Sequence, residues 1–284
     1  MQFSDLALSR RLERAEGYAC AEFAEARRQL FPASGAEWVQ CGGAYVVFDG
    51  AESPVTQTFG LGLFEELTPA VLDEIEGFFL ERRAPVLHEV SPFAGAAVPV
   101  LLCRRNYRPL ELSTVLFRPI EQPATTLQED IAVRVIGPEE AATWADVSAR
   151  GWGHDHPELM DFLRELGTIS TARKQSFCFL AELNGTPGAA GALSLHQGVA
   201  LFAGSATVPE MRRRGLQGAL LHARMQCAFD YGCQLAMMVA LPGSESQRNA
   251  ERKGFRIAYT RTKWQLQPLE NAESAPRTEA NGRE

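Results

Sequence analysis

Several absences narrow what this 284-residue chain does before any motif is weighed. No uninterrupted apolar run approaches the roughly twenty residues that a membrane-spanning helix needs. The start, Met1-Gln2-Phe3-Ser4-Asp5, lacks a basic segment followed by an apolar stretch, so the expected address is cytoplasmic and no membrane partner is expected. The six cysteines (Cys20, Cys41, Cys103, Cys178, Cys227 and Cys233) are scattered, with no Cys-x-x-Cys pair. They read as reduced packing residues, without a disulfide frame or a zinc site. Basic charge is not in surplus: 28 Lys and Arg against 35 Asp and Glu leave a net charge of −7. That argues against nucleic acid as a partner and is compatible with a protonated amine. Neither a dinucleotide-binding glycine fingerprint nor the Gly-Lys-Ser/Thr of a P-loop is present.

What remains is the composition of a soluble globular protein, 45% apolar and 22% charged, long enough for two domains. Leu6, Leu8, Leu12, Ala15, Ala19, Phe23, Ala26 and Leu30 recur at helical spacing, with Ser4 or Asp5 as cap and Pro32 as terminator. Strands are expected over 37–40, 44–49 and 55–63. A helix capped by Thr68 follows, then a strand over 86–90, a helix over 96–104, and two strands over 107–112 and 115–118. Residues 122–130 are polar, contain Pro123 and read as a linker between a first domain, 1–121, and a second, 131–267. The tail 268–284 is polar and is expected to be disordered.

In the second half the expected order is a strand over 131–136, helices over 138–150 and 157–166, and strands over 177–183, 189–195 and 199–207. A helix over 215–231, a strand over 235–240, a short helix over 244–253 and closing strands over 255–259 and 263–266 complete it. The turn around Asn184-Gly185 also holds Thr186 and Pro187, so it reads as longer than two residues.

Ser205 to Leu221 carries the most chemistry. A strand ends at Thr207-Val208, Pro209 breaks it, Arg212-Arg213-Arg214-Gly215 turns the chain, and an apolar-striped helix follows. The first N–H groups of a helix lack intrahelical partners and carry partial positive charge, so this arrangement suits an anion. A basic turn before a surface helix is the plainer alternative.

Arg212-Arg213-Arg214-Gly215-Leu216-Gln217 resembles the R/Q-x-x-G-x-G/A signature of the GNAT superfamily of N-acetyltransferases, although Gln217 stands where Gly or Ala is usual. Pro242 to Phe255 is similar to the GNAT segment in which a short helix ending in Gly-Phe borders coenzyme A. The order of elements from 131 to 266 is also the GNAT order. The resemblance implies an α/β (α+β) fold of two GNAT-like domains, each a mixed, mainly antiparallel sheet flanked by helices. It implies acetyl-CoA as cosubstrate, its pantetheine running beside the fourth strand along Ala206, Thr207 and Val208. The diphosphate would then meet the N–H groups of Arg213, Arg214, Gly215, Leu216, Gln217 and Gly218, with Arg212 adding charge. Ser246 and Asn249 become candidates for the pantetheine or the adenosine phosphate side; capping by Ser244 and an exposed Asn249 are the alternative.

Many relatives place a tyrosine, as donor to the leaving thiolate, where this chain has Ala250, and no carboxylate lies on the fourth strand. The sequence therefore assigns no catalytic residue; Glu182, His196, Glu245 and Tyr259 are the titratable groups near strand ends or the cleft. Trp152 and His154 fall where GNAT proteins usually build the acceptor wall. His154, Asp155 and His156 also suggest a metal, but a helix start is the better reading and no metal is expected. The first half resembles a degenerate GNAT domain, since Phe64-Glu65-Glu66-Leu67-Thr68-Pro69 stands at the signature position and its carboxylates repel a diphosphate. One CoA site per chain follows. The leading function is acetyl transfer to an amine of a small molecule or peptide by a monomer or homodimer. Against it stand an acyl-CoA-binding regulatory module and a tandem-domain synthase acylating an amino-sugar conjugate.

Overall fold

The computed structural model describes residues 3–123, 130–154 and 156–268. The expected tail lies outside these almost entirely, as do residues 124–129 of the expected linker. Helix α1, Leu6–Leu30, starts where the Asp5 carboxylate accepts the Leu8 N–H at 2.8 Å. Its apolar stripe from Leu8 to Ala26 is buried, whereas Leu6 and Leu30 at the ends are exposed. Strands β1 (Glu37–Cys41), β2 (Ala44–Phe48) and β3 (Gln57–Phe59) follow. The strand expected over 55–63 is thus cut to three residues, because Gly60 and Gly62 take φ of 78° and 69° and turn the chain. Helix α2 (Pro69–Glu81) is capped by the Thr68 hydroxyl, and β4 (Leu87–Val90) and α3 (Ala97–Arg104) come next.

Strand β5 (Tyr107–Pro119) is one strand of 13 residues where two were expected. The second half supplies β6 (Ile131–Val135), α4 (Ala141–Trp152), α5 (Met160–Ala172), β7 (Ser176–Leu183), β8 (Thr186–His196) and β9 (Val199–Thr207). Then come α6 (Leu216–Asp230), β10 (Leu235–Ala240), α7 (Glu245–Arg252) and β11 (Arg256–Leu266). Helix α5 begins later and runs further than expected, since Pro157–Leu159 form a separate 3-10 turn. His156 makes no side-chain cap there, and Asp155 lies outside the described residues. The β7–β8 turn is two residues after all: Leu183 pairs with Thr186 while Asn184 and Gly185 take φ of 50° and 76°. A bulge between Ala181 and Glu182 leaves Gly188 as the extra residue of β8, while Pro187, which cannot donate to the ladder, stands opposite Glu182.

The eleven strands among the described residues form one sheet, in the order β1-β2-β3-β4-β11-β5-β10-β9-β8-β7-β6. The two halves exchange edges: β11 inserts between β4 and β5 of the first half, and β5 stands between β10 and β11. β11 is continuous from Arg256 to Leu266, with bulges where two closing strands were expected. Helices α1, α4 and α5 cover one face; α2, α3, α6 and α7 cover the other. Of the cysteines read as packing residues, Cys41, Cys178 and Cys233 are buried, Cys20 and Cys227 are half-buried, and Cys103 is exposed.

A charged cluster lies beneath α1 where it crosses β11. Arg261 is paired with Glu13 at 3.0 Å, Glu16 at 2.6 Å and Glu89 at 3.0 Å, and Lys263 adds a second cation at 3.5 Å from Glu89. With Glu111 4.0 Å from Lys263, four carboxylates face two cations. Burial falls hardest on Glu13, which has no exposed surface and also accepts from the Tyr259 hydroxyl at 2.9 Å; its carboxyl is pushed up to about 7. A carboxyl raised in the folded state stabilises fully below its unfolded value of 4.5, and that stability is lost as pH rises to 7. The variant E13Q is therefore expected to gain in Tm relative to the wild type between about pH 5 and pH 7. Parallel Tm curves across that window would contradict the assignment.

Candidate active site

Strands β9 and β10 begin as parallel neighbours and then part. Val199, Ala200 and Leu201 pair with Leu235, Ala236 and Met237, and the pairing stops there. Beyond it β9 stays with β8 as far as Thr207, while β10 stays with β5 as far as Ala240. The departure coincides with a bulge: Ala190 faces Ala206 but Ala192 faces Ala203, so Gly204 and Ser205 together oppose Gly191. Gly204 takes φ of 61° to make it. The wedge opens into a cavity of about 740 Å³ that Ala203, Gly204 and Ser205 line on one side and Met238 and Val239 on the other.

The chain leaving β9 supplies the next wall. Val208 is buried against Trp144 of α4, and its N–H donates to the Gly188 carbonyl at 3.0 Å. A 3-10 turn over Pro209–Met211 follows, and Arg213 and Gly215 take φ of 62° and 90° before α6 starts. No side chain caps that start, and the first intrahelical bond runs from the Ala219 N–H to the Gly215 carbonyl. The N–H groups of Leu216, Gln217 and Gly218 precede it and so have no partner within the helix. Gly215, Gln217 and Gly218 line the cavity. Across it, Ser244 caps α7 by accepting the Gln247 N–H at 3.2 Å, and Ser246, Asn249 and the buried Ala250 face the same space. Arg252 and Lys253 add positive charge.

No family model matches the sequence, and no curated protein matches it. Comparison with solved structures does find relatives of shape. A GCN5-related N-acetyltransferase from Kribbella flavida superposes with a TM-score of 0.63 at 17% identity, over 88% of this chain and 96% of that one. One from Sphaerobacter thermophilus gives 0.52 at 17% identity, over 82% and 76%. A tandem GNAT protein from the clavulanic acid biosynthesis pathway gives 0.56 at 10% identity, over 81% and 80%. The fold is the GNAT fold. The coverage shows that both halves belong to the match, not the second half alone.

Within this GNAT fold, the residues named from sequence fall into three groups. Gly215, Gln217, Gly218, Ser246, Asn249 and Trp152 meet on the one cavity. Ala206, Thr207 and Leu216 form the frame behind it: Ala206 and Leu216 are buried, and the Gln217 amide donates to the Thr207 hydroxyl at 2.7 Å. That bond gives Gln217 a use its departure from the signature did not suggest. Arg212 turns away, donating to the carbonyls of Thr207 at 3.3 Å and Gly151 at 3.1 Å and meeting the His154 ring at 3.0 Å. Arg213 and Arg214 are exposed on the turn. Helix α4 packs tightly onto this frame, since a Cβ at Gly151 would come within 2.6 Å of the Ala206 side chain.

Among the other titratable candidates only Glu245 lines the cavity. Glu182 is paired with Arg134 at 2.8 Å, Tyr259 is committed to Glu13, and His196 stacks on Tyr18 with ring centres 4.1 Å apart. Sequence reasoning missed Gly204 and Ser205 of the bulge and, above all, Arg224. That arginine lies two turns into α6 and is 3% exposed, yet it borders the cavity. Nothing in its spacing separates it from a surface arginine.

The first half repeats the wedge in outline. β3 and β4 are parallel neighbours at Thr58 and His88, as β9 and β10 are. Past them Leu61 and Leu63 are 1% and 2% exposed, Leu61 in the core that α2 and α3 cover and the Leu63 carbonyl accepting from Arg10 of α1 at 2.6 Å. The helix start is closed, because Thr68 caps α2 with its own hydroxyl, accepting the Val71 N–H at 3.3 Å.

Proposed function

We propose that the chain is an N-acetyltransferase that takes acetyl-CoA into the wedge between β9 and β10 and passes the acetyl group to an amine of a small molecule or peptide. One observation carries this reading. The parted strands, the uncapped start of α6 and the polar face of α7 border a single cavity of about 740 Å³. An extended pantetheine fits along the free edge of β9, and a diphosphate fits the three unpartnered N–H groups of α6, where the helix dipole favours negative charge. Ser246 and Asn249 then border the ligand from α7, and Trp152 and His154 stand on the acceptor side. The capped helix start of the first half supports one CoA per chain, with a division into 1–121 and 131–267 joined by the linker 122–130.

In the reaction a neutral amine attacks the thioester carbon, the C–N bond forms and the C–S bond breaks. Holding the amine and thioester in contact supplies much of the acceleration, and water takes the amine proton. Ala250 and the absence of a carboxylate on β9 favour a second reading, an acyl-CoA-binding regulatory module without turnover. Thiol release from acetyl-CoA, followed across a panel of primary amines and amine-bearing peptides, separates the two. Amine-dependent release by the wild type is expected. Tight binding of acetyl-CoA with no release above background across the panel would favour the module.

A further inference from the structure

We propose that Arg224 is a catalytic residue of this site, its guanidinium holding the negative charge that passes to the CoA sulfur as the thioester breaks. The inference rests on the acyl-CoA reading of the cavity. Arg224 is 3% exposed and has no carboxylate partner among the described residues. Its Nε donates to the Leu220 carbonyl at 3.3 Å and its Nη1 to the carbonyls of Ala192 at 3.2 Å and Ala203 at 3.5 Å. The two strand carbonyls belong to residues that flank the β9 bulge, so the guanidinium is fixed where the ladder is broken. Nη2 has no hydrogen-bond partner among the described residues. The Phe202 ring lies beneath, 5.2 Å from the guanidinium carbon. Gly191 leaves the space for it, since a Cβ there would come within 3.1 Å of that carbon.

The position matches the reacting end of the ligand. Arg224 is eight residues beyond Leu216, about 12 Å inward along the α6 axis from the phosphate-binding start. It reaches the cavity beside Ala203 and Met238, immediately past the last β9–β10 pair. The other charged groups lining this cavity, Glu245, Arg252 and Lys253, sit on or just past α7. Burial lowers the Arg224 guanidinium to about 10, which leaves it charged at neutral pH. A buried cation without an anion is unfavourable, and that cost is relieved when negative charge appears beside it.

The step balances without an acid. The amine nitrogen bonds the acyl carbon, the C–S electron pair stays on sulfur as a thiolate beside Arg224, and the ammonium proton passes to water. The thiolate is protonated from solvent as CoA leaves. A guanidinium in this place does the work of the tyrosine that Ala250 displaces, by electrostatics instead of proton donation.

The test is an ultraviolet titration of the thiol of CoA bound to the wild type, R224K and R224Q. The same titration with desulfo-CoA subtracts the protein's own cysteines. In the wild type the bound thiol is expected to ionise at least tenfold more readily than free CoA, with R224K intermediate and R224Q without the shift. Turnover in R224Q is expected to fall about a hundredfold or more, with acetyl-CoA affinity changed far less. A wild-type bound thiol that titrates like free CoA would overturn the proposal, and this result stands even if R224Q fails to fold. An unchanged shift in R224Q would overturn it as well. Failure of the wild type to bind CoA would instead overturn the reading of the cavity, and this inference with it.

Discussion

Replacing Gly215 with valine is expected to abolish the rise in Tm that acetyl-CoA produces in the wild-type chain. A ligand that binds only the folded state adds about 2.7 kcal/mol at a free concentration about one hundred times its Kd. Gly215 holds φ of 90° at the N-cap of α6, a conformation closed to β-branched side chains, and it lines the cavity. Valine must pull the turn back toward negative φ, which rotates the N–H groups of Leu216, Gln217 and Gly218 away from the ligand. Losing two or three charge-assisted hydrogen bonds costs about 3 kcal/mol or more, a hundredfold or greater fall in affinity. The strain costs the fold itself only about 1–3 kcal/mol, so the variant is expected to remain folded. A folded G215V whose Tm still rises with acetyl-CoA as the wild type's does would remove the diphosphate from this turn.

The exchanged strands give the second large effect. A fragment starting at Ile131 is expected to show no cooperative unfolding transition, although it holds the whole cavity. It loses β5, whose Val115, Leu116 and Phe117 are at most 1% exposed between β10 and β11. It also loses α1, which seals Leu201, Leu235 and Met237. Three large apolar side chains alone are worth roughly 5–9 kcal/mol of burial, comparable to the whole stability of a typical domain of about 5–15 kcal/mol. Co-expression with residues 1–123 is expected to restore the transition. A cooperative, monomeric fragment would show that β5 is dispensable to the second half.

This dependence was hidden in the sequence for a physical reason. The segment 107–118 reads as two strands because Ser113 and Thr114 interrupt its apolar run. Both are buried, at 6% and 1%, and Ser113 accepts from the Arg261 guanidinium at 3.0 Å, 148 residues away. A long-range partner of that kind leaves no periodicity behind it. Local signals fared better, because a cap or a turn is written in adjacent residues. Thr68 caps the helix expected of it, Asp5 caps α1 where Ser4 or Asp5 was expected, Ser244 caps α7 and Asn249 is exposed as the alternative reading had it, and Pro209 and Gly215 bracket the turn into α6. Asn184-Gly185 was legible as a turn, but its length was not, since Thr186 and Pro187 read as loop residues yet pair with Leu183 and Glu182. At the cavity, the backbone-lining glycines and the α7 polar face were visible from the motif. Arg224 was not, because its burial depends on the space that Gly191 leaves in another strand.

On the proposed reading one half of the chain holds an open acyl-CoA wedge and the other holds none. Isothermal titration calorimetry of acetyl-CoA into the intact wild-type chain tests it most directly. One site per chain is the expected stoichiometry. Two equivalent sites per chain would contradict the lack of a wedge in the first half, and no binding at all would contradict the open one.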